Sequence, residues 1–362
     1  MRTVLIIASM LGRDGTSRII TYLANGFSNR EDVSIRLLFM RTVEKEMLLG
    51  LNSNVIVDCL NIKGALLLSA FTVIRSILKI RPDILLVGFH QLLWLSTLSS
   101  LFHKFKIKLF LRDTIIPSLF HQDVNFIVKK LNKIAYSRYD CIIAQSNDMK
   151  SDIINNWGGK AESIVVINNP IDIKMIQSRV GSCPKELKEK KIFTFVSAGR
   201  LAHQKGYDIV IKRMAEMMPN IRFKLLILGS GELEGALKKQ IEENHLGNHV
   251  KLLGYRKNVS DYLYYSDALL LSSRYEGFPN IVLEAQAVGR PVFSNTCLGG
   301  INEIVIDGEN GLTCNFEDAQ GFKNVIEQFL NMKFDSERIK EMTESRYNMT
   351  TILDKYALLF IK

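Results

Sequence analysis

The sequence predicts an α/β protein built from two doubly wound parallel sheets. Short apolar runs of strand character recur along the chain, and helical patterns lie between most of them. The alternation breaks once near the middle and then restarts. The 362 residues also exceed what one ordinary core accommodates, so two domains follow from length alone.

In order along the chain, residues 2–8 read as a buried strand and residues 9–15 as a polar, glycine-bearing loop. Thr16 is placed to cap a helix running through Leu23 to about Phe27. Strand, glycine loop and helix together bring backbone close to a ligand at the carboxyl edge of a sheet. Further strands are expected over 33–38, 55–58, 84–88, 107–111, 141–144 and 164–167. The uncharged run 84–102 has the length of a membrane span. His90, Gln91 and several Ser and Thr interrupt it, so it divides into a strand (84–88) and a helix (92–103). The apolar run 4–8 is too short for a signal peptide.

Asn168-Asn169-Pro170-Ile171-Asp172 and the charged segment 183–191 mark the break. They divide the chain into a first domain (1–172), a linker (173–191), a second domain (192–345) and a final helix (346–362). In the second domain, strands are expected over 192–198, 223–228, 250–253, 268–271 and 291–294, with helices from about Tyr207 and from Glu232.

Charge is uneven. The first 170 residues hold 21 Lys and Arg against 13 Asp and Glu, which is most of the net +10. A basic half needs an anionic partner: nucleic acid, anionic lipid or a phosphorylated substrate. The segments 104–108 and 129–133 interleave lysines with apolar residues, a composition that suits an anionic membrane face as well as a solvated surface. The five cysteines (Cys59, Cys141, Cys183, Cys297, Cys314) lack any CxxC spacing, which points to reduced thiols in the cytoplasm and no zinc site. The six histidines form no ligand cluster, and no D-x-D is present, which removes the simplest metal-held mechanism for a sugar nucleotide.

The chemistry concentrates in residues 276–289, a loop feeding a short helix. Pro279 suits the first helical position and Gly289 the stop. The first turn, Pro279-Asn280-Ile281-Val282, then offers backbone N–H groups to an anion such as a phosphate. Glu276 and Glu284 bracket that turn. Carboxylates beside a phosphate are unfavourable unless they accept hydrogen bonds from something else, and sugar hydroxyls are natural donors. Arg200 and Lys205 flank the loop after the first strand of the second domain, at the same carboxyl edge. With the helix terminus they would neutralise a diphosphate. Gly229-Ser230-Gly231 carries its third glycine, Gly235, one place too late for a dinucleotide fingerprint, and the next strand ends in Gly254-Tyr255-Arg256 rather than an acid.

These residues resemble glycosyltransferase family 4, a retaining family with the GT-B fold of two Rossmann-like domains facing across a cleft. The resemblance rests on Gly199-Arg200-Leu201 with Gln204-Lys205-Gly206, on Glu276-Gly277-Phe278-Pro279-Asn280 with Glu284-Ala285, on Gly299-Gly300 with Glu303-Ile304, and on Asp307-Gly308-Glu309-Asn310-Gly311. In the first domain, Gly15, Arg18 and residues 23–26 and 166–172 also fit.

The resemblance implies that Arg200 and Lys205 bind donor phosphates, Glu284 holds the ribose and Glu276 contacts the transferred sugar. Backbone around Asn280 and Ile281 would complete the phosphate site, Gly254, Tyr255 and Arg256 would face the base, and Gly15 would approach from the first domain. Related enzymes often carry a histidine after the strand at 107–111; this chain has Arg112-Asp113-Thr114, leaving Asp113 as the acceptor-side candidate. The expected activity is metal-independent transfer from a nucleotide sugar, UDP-linked before GDP-linked, to a glycan or lipid-linked glycan of a surface polysaccharide. No resident cofactor or nucleic acid is expected, and the protein would be cytoplasmic or peripheral on the cytosolic membrane face. An epimerase or hydrolase of the same fold, or a non-enzymatic polyanion binder, are the competing classes.

Overall fold

The structure, a computed structural model, describes residues 1–12, 15–28, 30–62, 70–88, 90–120, 124–188 and 192–361, without the side chains of 90–92. Arg13, Asp14, His121, residues 189–191 and Lys362, together with the side chain of His90, therefore lie outside the described residues.

Among the described residues, the first sheet holds β1 (Arg2–Ala8), β2 (Val33–Phe39), β3 (Ile56–Cys59), β4 (Ile84–Val87), β5 (Lys108–Arg112), β6 (Cys141–Ala144) and β7 (Ile164–Val166). All pairs are parallel, in the order β3-β2-β1-β4-β5-β6-β7. The central strands are near-continuous apolar runs because helices cover both faces. The second sheet holds β8 (Phe193–Ala198), β9 (Phe223–Leu228), β10 (Val250–Gly254), β11 (Ala268–Leu271), β12 (Val292–Asn295) and β13 (Gly311–Cys314). It is again parallel, in the order β10-β9-β8-β11-β12-β13. Each sheet reverses strand order beside its first strand, and the reversal opens a crevice at the carboxyl ends of the flanking strands.

One face of the second sheet is packed with phenylalanines. The ring centroids of Phe195 and Phe223 lie 5.4 Å apart, and those of Phe293 and Phe316 5.2 Å apart. The other face is covered by the helix Asn280–Ala287, which buries Val282, Leu283, Ala285 and Ala287.

Contacts divide the chain into Met1–Pro170 with Met349–Lys362, and Ile171–Asn348. The segment expected as a linker, 173–191, is largely part of the second unit. Asp172 caps the helix Ile173–Ser178, and Ile173, Ile176 and Leu187 enter the second core. Its apolar residues thus do what a linker's cannot; of its described charges, Lys185 and Lys188 are exposed and Glu186 accepts from the Tyr262 hydroxyl at 3.0 Å. The tail is two helices. Ser336–Tyr347 belongs to the second unit, and Met349–Ile361 packs on the first unit through Ile352, Leu353, Tyr356, Ala357 and Phe360.

Local expectations change in two places. Thr16 lies inside the helix Gly15–Phe27 rather than capping it, and Gly12 N instead donates to Ser17 Oγ at 3.0 Å. The expected helix 92–103 is a 3₁₀ stretch, His90–Leu98, followed by the helix Ser99–Lys104. No helix among the described residues is long and apolar enough to cross a membrane.

Candidate active site

β8 and β11 are adjacent parallel strands, with Ala268 opposite Phe195 and Leu269 opposite Val196. The loops that follow them, 199–206 and 272–279, therefore emerge together at the point where the second sheet reverses its strand order. They are stitched to each other. Ser272 Oγ donates to Lys205 O at 2.8 Å, Arg274 N to Gln204 O at 2.8 Å, and Gln204 Nε2 to Tyr275 O at 3.1 Å. Arg274 spans the junction, bidentate on Asp208 at 2.8 and 2.6 Å, with a further bond to His203 O at 2.8 Å. Burial would raise the Asp208 carboxyl, but Arg274 overrides it and the pKa is lowered.

Gly206 has φ +60°, and a Cβ there would overlap the Ser272 carbonyl oxygen. Gly229 has φ +141°, and a Cβ there would overlap the Gly199 carbonyl oxygen. Gly199 N donates to Leu228 O at 2.9 Å and Leu201 N to Ser230 O at 3.0 Å. The Gly229-Ser230-Gly231 turn is thus a backbone brace under the Arg200 loop, which is why its spacing departs from a dinucleotide fingerprint.

The brace aims Lys205 inward. Its Nζ lies 2.6 Å from Glu276 Oε1, and Ser273 Oγ donates to the same oxygen at 2.6 Å. The Lys205 side chain is 19% exposed and that of Glu276 8%. Burial works against the ammonium, the Glu276 carboxylate more than offsets it, and the Lys205 pKa is raised. Tyr207 lies beneath, its hydroxyl 3.5 Å from Ser197 Oγ, its own pKa raised by burial. Lys205 is thus a fixed cation with further N–H donors to spare. Arg200, on the same loop, is exposed and has no ion-pair partner among the described residues.

The helix begins at Asn280, with Pro279 as its extended N-cap rather than its first helical residue (φ −74°, ψ 99°). Proline offers no capping oxygen, so the N-cap side chain makes no hydrogen bond to the first turn. Asn280 and Ile281 are half-buried at the mouth. Gly289 ends the helix as expected. Gly289 N donates to Gln286 O and Arg290 N to Ala285 O, both at 2.9 Å, a Schellman closure. Glu284 is buried one turn inside. Gly277 is buried, and Phe278 turns into the core, its ring 5.6 Å from Tyr347 in an edge-on contact. Phe278 shapes the loop from below rather than lining it.

Gly254 closes β10 and accepts from Gly229 N at 2.9 Å, which ties the loop after β10 to the brace. Tyr255 is exposed, an aromatic face available for stacking. Arg256 is tied to Tyr262 (Nε to hydroxyl, 3.3 Å) and lies 3.9 Å from Glu186.

In the first unit, Gly15 is exposed at the start of its helix. Asp113 is 1% exposed. Tyr136 donates its hydroxyl to Asp113 Oδ2 at 2.7 Å, and Thr114 N donates to Oδ1 at 3.0 Å. Burial, with the Asp113 carboxylate beside it, pushes the Tyr136 pKa well up, so its hydroxyl stays a donor. Asp113 is therefore buried in the core of the first unit, with both carboxylate oxygens accepting hydrogen bonds, rather than standing open at the strand end. Its neighbour Arg112, also buried, donates Nε to Tyr356 Oη at 2.9 Å and Nη2 to Asn169 Oδ1 at 2.6 Å.

The sequence reading missed Ser273, Tyr207, Asp208 and Arg274. Arg274, two residues before Glu276, was the visible signal, but a lone charge names no partner. Among the described residues no three His, Cys, Asp or Glu side chains converge as a metal site requires.

Comparison with known proteins agrees with this geometry. The family model for glycosyltransferase family 4 matches residues 13–174, and that for glycosyl transferases group 1 matches residues 183–347. The chain is 30% identical over 249 residues, 65% of its length, to an uncharacterised glycosyltransferase of Methanocaldococcus jannaschii. It is 28% identical over 229 residues, 61% of its length, to the N-acetylgalactosamine-N,N'-diacetylbacillosaminyl-diphospho-undecaprenol 4-alpha-N-acetylgalactosaminyltransferase of Campylobacter jejuni. The matches span 61% of the length of each of these relatives. Anabaena HepE, solved with UDP and glucose, superposes with a TM-score of 0.79 at 19% identity, covering 99% of both chains, a likeness in fold. Two family models that between them account for both units, and a GT-B fold shared along the whole chain, place this protein in glycosyltransferase family 4.

Proposed function

We propose that the protein transfers a sugar from a nucleotide sugar, a uridine diphosphate sugar in the first instance, to a lipid-linked glycan acceptor in surface polysaccharide synthesis. The observation that carries this is the Lys205–Glu276–Ser273 cluster at the reversal point of the second sheet, beside the N-terminus of the helix Asn280–Ala287. Lys205 and Arg200 hold the diphosphate oxygens, with backbone N–H groups near Asn280 and Ile281 completing the cradle. Charge grows on that diphosphate as the glycosidic bond breaks, and a preorganised cation there stabilises the transition state without a metal ion. Glu276, already fixed by two donors, orients Lys205 and accepts from a sugar hydroxyl. Glu284 accepts from the ribose, and Tyr255 stacks on the base.

Departure of the diphosphate on the face that the acceptor hydroxyl attacks gives retention of configuration. The complex of HepE with UDP and glucose supports a uridine donor, and the diphospho-undecaprenol acceptor of the Campylobacter enzyme supports a lipid-linked one. The excess of basic over acidic residues before residue 171 suits a peripheral position on an anionic membrane.

A thermal-shift screen of the full chain against UDP-, GDP- and ADP-sugars, in EDTA, tests the donor. Stabilisation by a UDP-sugar is the expected outcome, reduced in Lys205→Ala. Product analysis with and without acceptor separates transfer from hydrolysis or epimerisation. Equal shifts in wild type and Lys205→Ala would overturn the site, and a requirement for divalent metal would overturn the mechanism.

A further inference from the structure

Helix Phe126–Tyr136 (FIVKKLNKIAY) is the crossover from β5 to β6, so its first turn stands at the carboxyl edge of the first sheet. It is well formed. Asn125 caps it by accepting from Val128 N at 2.9 Å, and its last turn is anchored by buried Ala135 and Tyr136. The rest faces outward. Phe126 is 79% exposed, Ile127 69%, Leu131 59% and Ile134 41%. Ile127, Leu131 and Ile134 stand at i, i+4 and i+7, one stripe of a helical surface. Phe120, in the same connection, is half exposed. A monomer in water gains nothing from such a stripe.

The charges around the stripe select the occupant. Lys130 and Lys133 lie along one side of it, and the helix carries no Asp or Glu. Lys129 stands on the far side of the helix, over the Trp157 ring at 5.9 Å, which leaves Lys130 and Lys133 as the cations beside the stripe. An apolar stripe bordered by lysines matches the interface of an anionic bilayer, where aliphatic and aromatic tips enter the acyl boundary and ammonium groups stay among phosphates. A protein partner would be expected to meet the lysines with carboxylates, and a second copy of this helix would set lysine against lysine.

We infer that the helix Phe126–Tyr136 docks the protein on an anionic membrane surface, with Phe126, Ile127, Leu131 and Ile134 inserted and Lys130 and Lys133 on phosphate headgroups. This rests on the proposed lipid-linked acceptor and deepens it: the docked edge is the edge at which an open α/β sheet takes its ligand.

The test is sedimentation of the full chain with phosphatidylcholine vesicles, with and without phosphatidylglycerol. The wild type should bind the anionic vesicles and weaken as salt rises. Ile127→Glu with Leu131→Glu should lower the partition by at least about tenfold, and Lys130→Gln with Lys133→Gln by about fivefold for each charge at low salt. The residues are on the surface, so melting temperature and the thermal shift with UDP should stay at wild-type values in both variants. Wild-type failure to bind anionic vesicles, or unchanged binding by the double Glu variant, would overturn the assignment. So would light scattering that shows a dimer dissolved by that variant, since the occupant would then be a second copy. The UDP shift reports on the donor site independently, so loss of docking and loss of the donor reading are distinguishable.

Discussion

Lys205 is the residue on which the site turns, because it is held charged in a half-enclosed place chiefly by Glu276. Lys205→Ala and Arg200→Ala should each lower turnover by roughly two orders of magnitude, as loss of one preorganised donor does, with thermal unfolding near wild type for the exposed Arg200 and lowered for Lys205, whose loss leaves the buried Glu276 carboxylate without its cation. Steady-state kinetics beside calorimetry checks this. Because the Lys205 pKa is raised, the stability this pair contributes is complete below the lysine's unfolded value and fades only as pH rises through the folded one. It adds no slope near neutrality. Asp208 works the other way. Its lowered pKa means stability present above the unfolded carboxyl value and lost as pH falls through the folded one. Asp208→Asn should therefore flatten the acid limb of a urea-midpoint profile below about pH 4, modestly, since the pair is partly exposed. Asp113→Asn should cost about 1–3 kcal/mol of stability and leave the UDP thermal shift intact, because it disturbs a buried hydroxyl–carboxylate bond. Full stability with lost turnover would instead restore Asp113 to the chemistry.

At the scale of elements, two loops behave as one. The loop after β8 and the loop after β11 share side-chain and backbone bonds, and the Gly229-Ser230-Gly231 turn props them from below. Gly206→Ala and Gly229→Ala should each destabilise by more than about 1 kcal/mol, because a Cβ meets backbone that cannot yield. Equilibrium urea denaturation measures it, and the same variants should weaken UDP binding. The helix Asn280–Ala287 shows how much of an element can be read in advance. Gly289 followed by Arg290-Pro291 announces its end, and Pro279 its beginning to within one residue. Three-dimensional partners could not be announced in that way. Nothing in the string links Lys205 to Glu276, or Arg274 to Asp208, since each bond depends on how two adjacent strands aim the segments that follow them.

At the scale of the molecule, the chain leaves the first unit after Pro170 and returns at Met349. The returning helix is keyed to the first unit by Arg112 on Tyr356 and by Phe360 against Phe27, with ring centroids 5.7 Å apart. Tyr356→Phe should destabilise the protein by about 1–3 kcal/mol, since the buried Arg112 guanidinium loses an acceptor. A two-transition melt in which only one transition moves would assign that loss to the first unit.

The sequence by itself determined the fold class, the two-part organisation and the two loops, after β8 and before the helix Asn280–Ala287, on which the proposed donor site rests. Those properties are written in local periodicity and in glycine, proline and charge at short spacing, which chain-neighbour sterics and capping interpret directly. Tertiary structure decided the rest: that Lys205 meets Glu276, that Asp113 is sealed beneath Tyr136, that the segment after Asp172 belongs to the second core, and that a lysine-bordered helix turns its apolar side outward. Each of these depends on which surfaces meet across long stretches of chain, and burial and pairing of that kind have no signature in the local order of residues.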